Sequence, residues 1–402
     1  MRLDYLLFGT FASVFIIGLA TGTAPLTFLA VALGSVTAIG RSWSRRGLLA
    51  LTFERRTRDQ FFMIGDTVDL EVDLRNPSLL PLPWVEISDG FPAEGVKAVD
   101  AQAGRLQIQT GLGWFQRLRR IYSLTLNQRG YYRFGPSTLR VWDPLGLTYT
   151  ESRRARPEDS LYVTVYPHVI PWDELGISSD DPFGEPEQNR WLFPDPLSTM
   201  GARPYRLGDP INQIHWPATA AAGELMSRVL EGTRSPEVIV ALNLSTMDLA
   251  WVGVIPELME LSITAAASLS STALDQGLKV GLLSNGNMVK KTPDSPAPPL
   301  IVAPSTHHDQ VQKILAALAR ASDRAREPLE KTLDRHLDDY RTASWVVITA
   351  VMTPTLRTRL SVMSDIPLTI IYTGDPPVPP MPTNASLEVL GGKERWRKIA
   401  GN

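Results

Sequence analysis

"EVIVALNLSTMD", Glu237 to Asp248, opens on an unbroken apolar run and ends in Asn, Ser, Thr and Asp. A strand apolar on both faces belongs in the middle of a sheet covered by helices, and such sheets carry their ligand chemistry beyond the strands' carboxyl ends. The residues downstream of the run decide the fold. "PELMELSITAAASLSSTALDQG" (256–277) reads as a helix stopped by glycine, and "LKVGLLSNG" (278–286) as the next strand. Two amphipathic helices come next, "DQVQKILAALARAS" (309–322) and "PLEKTLDRHLDDYRT" (328–342). The strand "SWVVITAV" (344–351), the short helix "TPTLRTRLSVMSD" (353–365) and the strand "PLTIIYTG" (367–374) complete the alternation. This order predicts an α/β domain with a mostly parallel sheet over residues 235–375. The proline-rich stretches "TPDSPAPPLIVAPS" (292–305) and "DPPVPPMPT" (375–383) read as loops, and residues 376–402 as a C-terminal tail.

Upstream the periodicity changes from helical to two-residue. In "GDTVDLEVDLRNPSLLPLPWVEISDGFP" (65–92), Val68, Leu70, Val72 and Leu74 share one face of a half-buried strand that is broken at Asn76-Pro77. "RIYSLTLNQRGYYRFGPSTLRVWDPLGL" (120–147) and "SLYVTVYP" (160–167) repeat the pattern around turn residues. Residues 41–168 are thus expected to form an antiparallel β-sandwich. Residues 169–234 lack periodicity and read as a connector. Its acidic residues Asp173, Glu174, Asp180, Asp181, Glu185 and Glu187 read as solvated loop charge.

The N-terminus carries a different signal. No charged residue occurs from Tyr5 to Gly40. One straight helix of that length would reach about 54 Å, against roughly 30 Å of hydrocarbon. Gly22 and Pro25 punctuate the run, so residues 1–40 are expected to form a transmembrane hairpin of two short helices. Arg41, Arg45, Arg46, Arg55, Arg56 and Arg58 crowd the exit, which places both termini and the soluble domains on the cytoplasmic side of the inner (plasma) membrane. A cleaved signal peptide is the weaker reading, because the apolar run is more than twice an ordinary signal core. Trp43 would suit the interfacial aromatic belt.

Composition narrows the function classes. The 402 residues include 40 Lys and Arg against 42 Asp and Glu, for a net charge of −2, with no cysteine. A near-neutral chain with scattered cations has no nucleic-acid footprint, and disulfides, thiolate metal sites and cysteine nucleophiles are excluded. No nucleophile elbow, zinc-protease helix or phosphate-binding loop motif occurs. In "RPYRLGDPINQIHWPATAAAGEL" (203–225), Asp209 and His215 could be imagined as an acid–base pair serving Thr219, Ser227 or Ser245. Nothing in their spacing requires it. A histidine beside tryptophan reads first as packing, with Trp216 as a buried anchor.

Two resemblances add to this reading. A strand ending in Asp-x-Ser-x-Ser is the metal-site signature of von Willebrand factor A domains. The end of the first strand here resembles it only at Ser245, with Asn243 in the aspartate position, Met247 in that of the second serine, and Asp248 one residue beyond. The later strand ends in Thr349-Ala350 where a further aspartate would be expected. Mg²⁺ wants oxygen ligands that include a carboxylate, so the site is expected to be degenerate, with Mg²⁺-dependent protein binding as an alternative function. The second resemblance is to the bacterial membrane family called domain of unknown function fifty-eight. Its hallmark is matched at Arg203, Tyr205, Gly208, Asp209, Ile214, His215 and Trp216, ahead of an A-like domain. Asn212, Pro217 and Ala221 occupy hallmark positions that are cationic in the family. "RGYYRFGP", "DPLGL" and "VYPHVIP" resemble the family's layout as well. The chain is read as a membrane-anchored, non-enzymatic scaffold that binds protein partners and takes no cofactor, and the resemblance implies as partner a MoxR-type AAA+ ATPase acting in assembly or maturation of membrane or envelope complexes. A membrane-bound hydrolase using Asp209 and His215 is the remaining alternative.

Overall fold

A computed structural model describes residues 2–92, 95–98, 104–156, 159–175, 177, 202–204, 216–228, 237–248, 253–290 and 295–401. The chain divides into two compact units, one built mainly from residues 1–168 and the other mainly from residues 169–402.

The first unit begins with two helices, α1 (Arg2–Ala20) and α2 (Ala24–Ala50). The turn between them, Thr21 to Thr23, uses a positive φ of 64° at Gly22, and Pro25 sits in the first turn of α2, where its missing N–H costs nothing. The helices approach closely at Gly18, where an added Cβ would lie 2.9 Å from the Thr27 backbone nitrogen. By length and composition α2 qualifies as a membrane-crossing helix. It does not stop at residue 40, where the sequence pattern placed its end. "RSWSRRGLLA" contains no proline, and its single glycine, Gly47, is held against Leu82, so the helix runs ten residues further.

Among the described residues of this unit, eleven strands come after α2: β1 (Thr52–Arg56), β2 (Phe61–Met63), β3 (Thr67–Arg75), β4 (Leu82–Gly90), β5 (Val96–Ala98), β6 (Arg105–Leu112), β7 (Arg117–Leu126), β8 (Gly130–Phe134), β9 (Ser137–Trp142), β10 (Tyr149–Arg154) and β11 (Leu161–Tyr166). They form two four-stranded antiparallel sheets, ordered β1-β3-β7-β5 and β10-β9-β4-β6, and a three-stranded sheet, β2-β11-β8. Val68, Leu70, Val72 and Leu74 do point inward, where they meet Val85, Ile87, Leu106, Ile108, Leu124, Leu139 and Val141 in one core. On the outer face, Asp73 and Glu71 pair with Arg117 and Arg119 of β7. The antiparallel expectation fails at one place: β11 pairs with β2 in parallel, because the two are joined by a long excursion rather than a hairpin.

Inside this unit Arg55 forks onto Asp89, with Nε and an Nη each donating to a carboxylate oxygen at 2.6 Å, and both side chains are buried. Arg55 also donates to the Asp159 carbonyl at 2.5 Å. Burial pushes the Asp89 carboxyl upward, and the guanidinium opposes the shift. Arg55 is therefore an internal cation, leaving Arg41, Arg45 and Arg46 as the positive charges that lie on α2 itself.

The described elements of the second unit are α3 (Trp172–Leu175), β12 (Ala202–Pro204), α4 (Trp216–Ala222), β13 (Met226–Arg228), β14 (Glu237–Leu242), α5 (Pro256–Asp275), β15 (Lys279–Met288), β16 (Pro299–Ser305), α6 (Gln310–Ala319), β17 (Ala321–Ala325), α7 (Leu329–His336), β18 (Ser344–Thr349), α8 (Pro354–Val362), β19 (Leu368–Tyr372), β20 (Ser386–Val389) and α9 (Gly392–Ala400). The main sheet runs β16-β15-β14-β18-β19-β20. β15, β14, β18, β19 and β20 are parallel, while β16 and β17 pair antiparallel with β15. Trp345 is fully buried on β18, with its indole N–H donated to the Tyr340 carbonyl at 3.1 Å.

Three sequence expectations need correction. "PPLIVAPS" contains the edge strand β16 rather than a loop: Pro299, Ile301, Val302 and Ser305 pair with β15, and an edge strand tolerates its prolines. The helix from Asp309 stops at Ala319, and Ala321–Ala325 form β17. The expected tail contains β20 and α9, so the sheet extends past residue 375. β20 escapes the periodicity rule because it is a four-residue edge strand with mostly exposed side chains.

Candidate functional site

The parallel strands run in the order β15-β14-β18-β19-β20. The chain leaves β14 toward β15 by way of α5 and later returns on the opposite side to build β18. The carboxyl ends of β14 and β18 therefore flank the switch point, the crevice in which open α/β sheets place ligands. Asn243, Ser245 and Thr246 come directly after β14, Thr349 closes β18, and Asn285 lies in β15.

These residues bond to one another. Asn285 donates through Nδ2 to Asn243 Oδ1 at 2.8 Å and to the Glu327 carbonyl at 3.1 Å. Its Oδ1 accepts the Leu244 N–H at 2.9 Å. Asn243 Oδ1 accepts a second bond, from the Ser245 N–H at 3.0 Å, and its own amide donates to Thr349 Oγ1 at 3.0 Å. Thr349 Oγ1 donates to the Val351 carbonyl at 2.6 Å, and Thr246 Oγ1 accepts the Ile255 N–H at 2.7 Å. Asn243, Asn285, Thr246 and Thr349 are all buried. A pair of buried amides with donors and acceptors matched in this way rigidifies the strand ends without holding charge.

This arrangement does not fit Mg²⁺. Asn243 Oδ1 already accepts two N–H groups, the Asn243 NH₂ is directed at the Thr349 hydroxyl, and the cluster contains no carboxylate. Glu327 contributes only its carbonyl to the cluster. Its carboxylate binds Arg335 at 2.8 and 3.2 Å, and that hydrogen bond, with the arginine's charge, holds it below the usual glutamate range. Asp248 is exposed. The Tyr372 phenol is pushed up by burial first, then by Asp375 and Asp248. Among the described residues no group of three or more His, Cys, Asp or Glu could hold a metal.

The sequence candidates fare unevenly. Asn243 and Ser245 lie in the cluster, and Asp248 lies outside its bonds. Asn285 was missed, although "LLSNG" ends a buried strand in two polar residues at the same sheet edge, which is the signal that could have found it. Of the hallmark residues, Tyr205, Gly208, Asp209, Ile214 and His215 lie outside the described residues, and Arg203 is described by its backbone, which pairs with Ser227. Trp216 is not the expected buried anchor: it is 63% exposed at the start of α4. That helix is seven residues of mostly alanine and offers little apolar volume to cover an indole. Thr219 Oγ1 accepts the Met226 N–H at 3.0 Å, so this hydroxyl ties α4 to β13. Trp43 also differs from expectation, because its indole N–H is donated to the Pro81 carbonyl at 3.0 Å rather than left for the membrane interface.

Residues 201–391, which include the hallmark segment and almost all of the second unit's sheet, match the family described as "Protein of unknown function DUF58". The chain carries a DUF58 domain. It is similar to the "Uncharacterized protein YeaD" of Bacillus subtilis (strain 168), with 24% identity over 302 residues covering 72% of this chain and 67% of that protein. Among solved structures, the CARDB domain of the PF1109 protein from Pyrococcus furiosus matches 29% of this chain and 91% of its own length, at 16% identity and a TM-score of 0.20. A cohesin module from a Clostridium perfringens family 33 glycoside hydrolase matches 29% of this chain and 94% of its own length, at 13% identity and a TM-score of 0.21.

Proposed function

We propose that this DUF58 protein is a membrane-anchored, non-enzymatic adaptor whose A-like second unit binds a protein partner without a metal ion. The observation that carries the reading is the Asn243–Asn285–Thr349 cluster, in which neutral side chains at the sheet's switch point satisfy one another. A catalytic or metal site at this place would need a group held ready for substrate or ion. A self-satisfied cluster instead supports a rigid loop surface, which is what a protein-binding face requires.

In this reading α1 and α2 form the hairpin that crosses the inner membrane, with Arg41, Arg45 and Arg46 retained on the cytoplasmic side. The partner implied by the family resemblance is a MoxR-type AAA+ ATPase, in assembly or maturation of membrane or envelope complexes. Affinity capture of the detergent-solubilised protein from native membranes, with and without EDTA, tests the proposal. Recovery of that ATPase equally in both supports the adaptor. Recovery only without EDTA transfers the function to a metal-dependent A domain, and its absence from both eliminates the partner assignment.

A further inference from the structure

We propose that one end of the strand domain is seated in the bilayer interface, with exposed aromatic and leucine side chains on three loops inserted at the headgroup–acyl boundary. This rests on α2 crossing the membrane, as in the proposed function, and adds a lipid-binding surface in the soluble part of the first unit.

The position of the bilayer relative to the strands is set by α2 itself. Its uncharged run ends at Gly40, and Arg41 is the first charge. From Gly40 onward the helix is docked on the sheet. An added Cβ at Gly40 would lie 3.1 Å from Cβ and Cγ of Asp143, Ser44 Oγ lies 2.7 Å from Thr150 Oγ1, and Gly47 packs on Leu82 and Val141. The loop at residues 143–148 is therefore level with the point where α2 changes from apolar to charged, within about one helical turn of 5 Å.

Two other loops share that end. The pairings Leu82↔Leu112, Val85↔Val141, Trp142↔Tyr149 and Arg75↔Arg117 place residues 76–81, 113–116 and 143–148 together beyond the strand ends. The first two are laced: the Asn76 N–H is donated to the Gln116 carbonyl at 2.9 Å, and Asn76 Nδ2 to the Gly113 carbonyl at 2.9 Å. On these loops Leu79, Trp114, Phe115 and Leu145 are between 61% and 75% exposed. Phe115 holds a positive φ of 51°, a conformation unfavourable for a bulky residue, and gains no burial by it. Arg45 and Arg46, exposed on the adjoining turn of α2, are placed for anionic headgroups. An exposed aromatic and aliphatic patch flanked by Arg45 and Arg46, with its 143–148 loop level with the polar boundary of α2, has the chemistry of an interfacial membrane contact.

The chain has no cysteine, so single-cysteine reporters are clean. An environment-sensitive fluorophore is placed at V36C in the apolar part of α2, at F115C and L145C on the loops, and at R105C at the far end of β6. The full-length protein is reconstituted in phosphatidylcholine–phosphatidylglycerol vesicles containing acyl-chain nitroxide lipid. The expected result is loss of emission at 115 and 145 comparable with that at 36, with the 105 label unquenched by lipid and open to aqueous iodide. Quenching at 36 with full emission at 115 and 145 overturns the seating and leaves the membrane span standing. Protection of 115 and 145 from iodide without lipid quenching also overturns it, because the patch is then covered by protein. Full emission at 36 removes the span, and with it this inference.

Discussion

Asn285 offers the sharpest test of the switch-point cluster. Replacing it with alanine removes the acceptor of the buried Leu244 N–H at 2.9 Å and the donor to Asn243 Oδ1 and the Glu327 carbonyl. An orphaned buried N–H costs about 1–3 kcal/mol, and each remaining bond contributes about 0.5–1.5 kcal/mol, so N285A should lower the local stability of the sheet by about 3 kcal/mol. At 1.4 kcal/mol per decade that is a roughly hundredfold increase in amide exchange where opening is limiting. The measurement is hydrogen exchange of the β14 and β15 peptides in the full-length detergent-solubilised protein. N285D should be at least as disruptive: the carboxylate keeps the Leu244 bond but directs its second oxygen at Asn243 Oδ1 and the Glu327 carbonyl, which are acceptors. Millimolar Mg²⁺ should not restore its protection. Wild-type exchange in N285A, or rescue of N285D by Mg²⁺, would refute the description of the cluster as a neutral structural lock.

Further consequences can be checked in the first unit. R55A strands the buried Asp89 carboxylate and should cost about 3–5 kcal/mol in urea unfolding, whereas R55L/D89L should recover most of it. The Asp143 carboxyl is pushed up by burial, but bonds from Thr148 Oγ1 and from the Thr148, Leu147 and Leu145 N–H groups outweigh this and leave it below its ordinary value of 3.8. A lowered folded pKa stabilises above the unfolded value and loses that contribution as pH falls through the folded one. Thermal unfolding of D143N should therefore lie below wild type at pH 6 and converge with it in acid below pH 3.8. G47A drives a methyl into Leu82 and should cost about 1–3 kcal/mol, relieved by the second change L82V.

The sheet of the second unit was legible because its central strands are unbroken apolar runs: "EVIVALNLS", "SWVVITAV" and "PLTIIYTG" are β14, β18 and β19. Edge strands carry no such signature. β16 lies among prolines and β20 exposes most of its side chains, so neither shows a hydrophobic period. Asn243 and Ser245 could be nominated from the end of β14, but Asn285 joins them across 42 residues by parallel pairing, a relation that local pattern does not contain. Trp216 misled for a related reason. The size of an indole argues for burial only if a partner surface exists, and the small helix it begins provides little.

The continuity of α2 would tie the strand domain rigidly to the proposed membrane anchor. Its apolar part, Ala24 to Ile39, is about 24 Å long at 1.5 Å per residue, some 6 Å short of an average hydrocarbon layer. The eleven residues from Gly40 to Ala50 extend the same helix along the strands, with no proline or positive-φ glycine between the two parts. A span shorter than the hydrocarbon layer is accommodated by local thinning of the bilayer and by shifts in the depth of its flanking residues. In the proposed membrane anchoring no joint lies within this helix to absorb that mismatch, so a thicker lipid layer draws the attached strand domain closer to the headgroups.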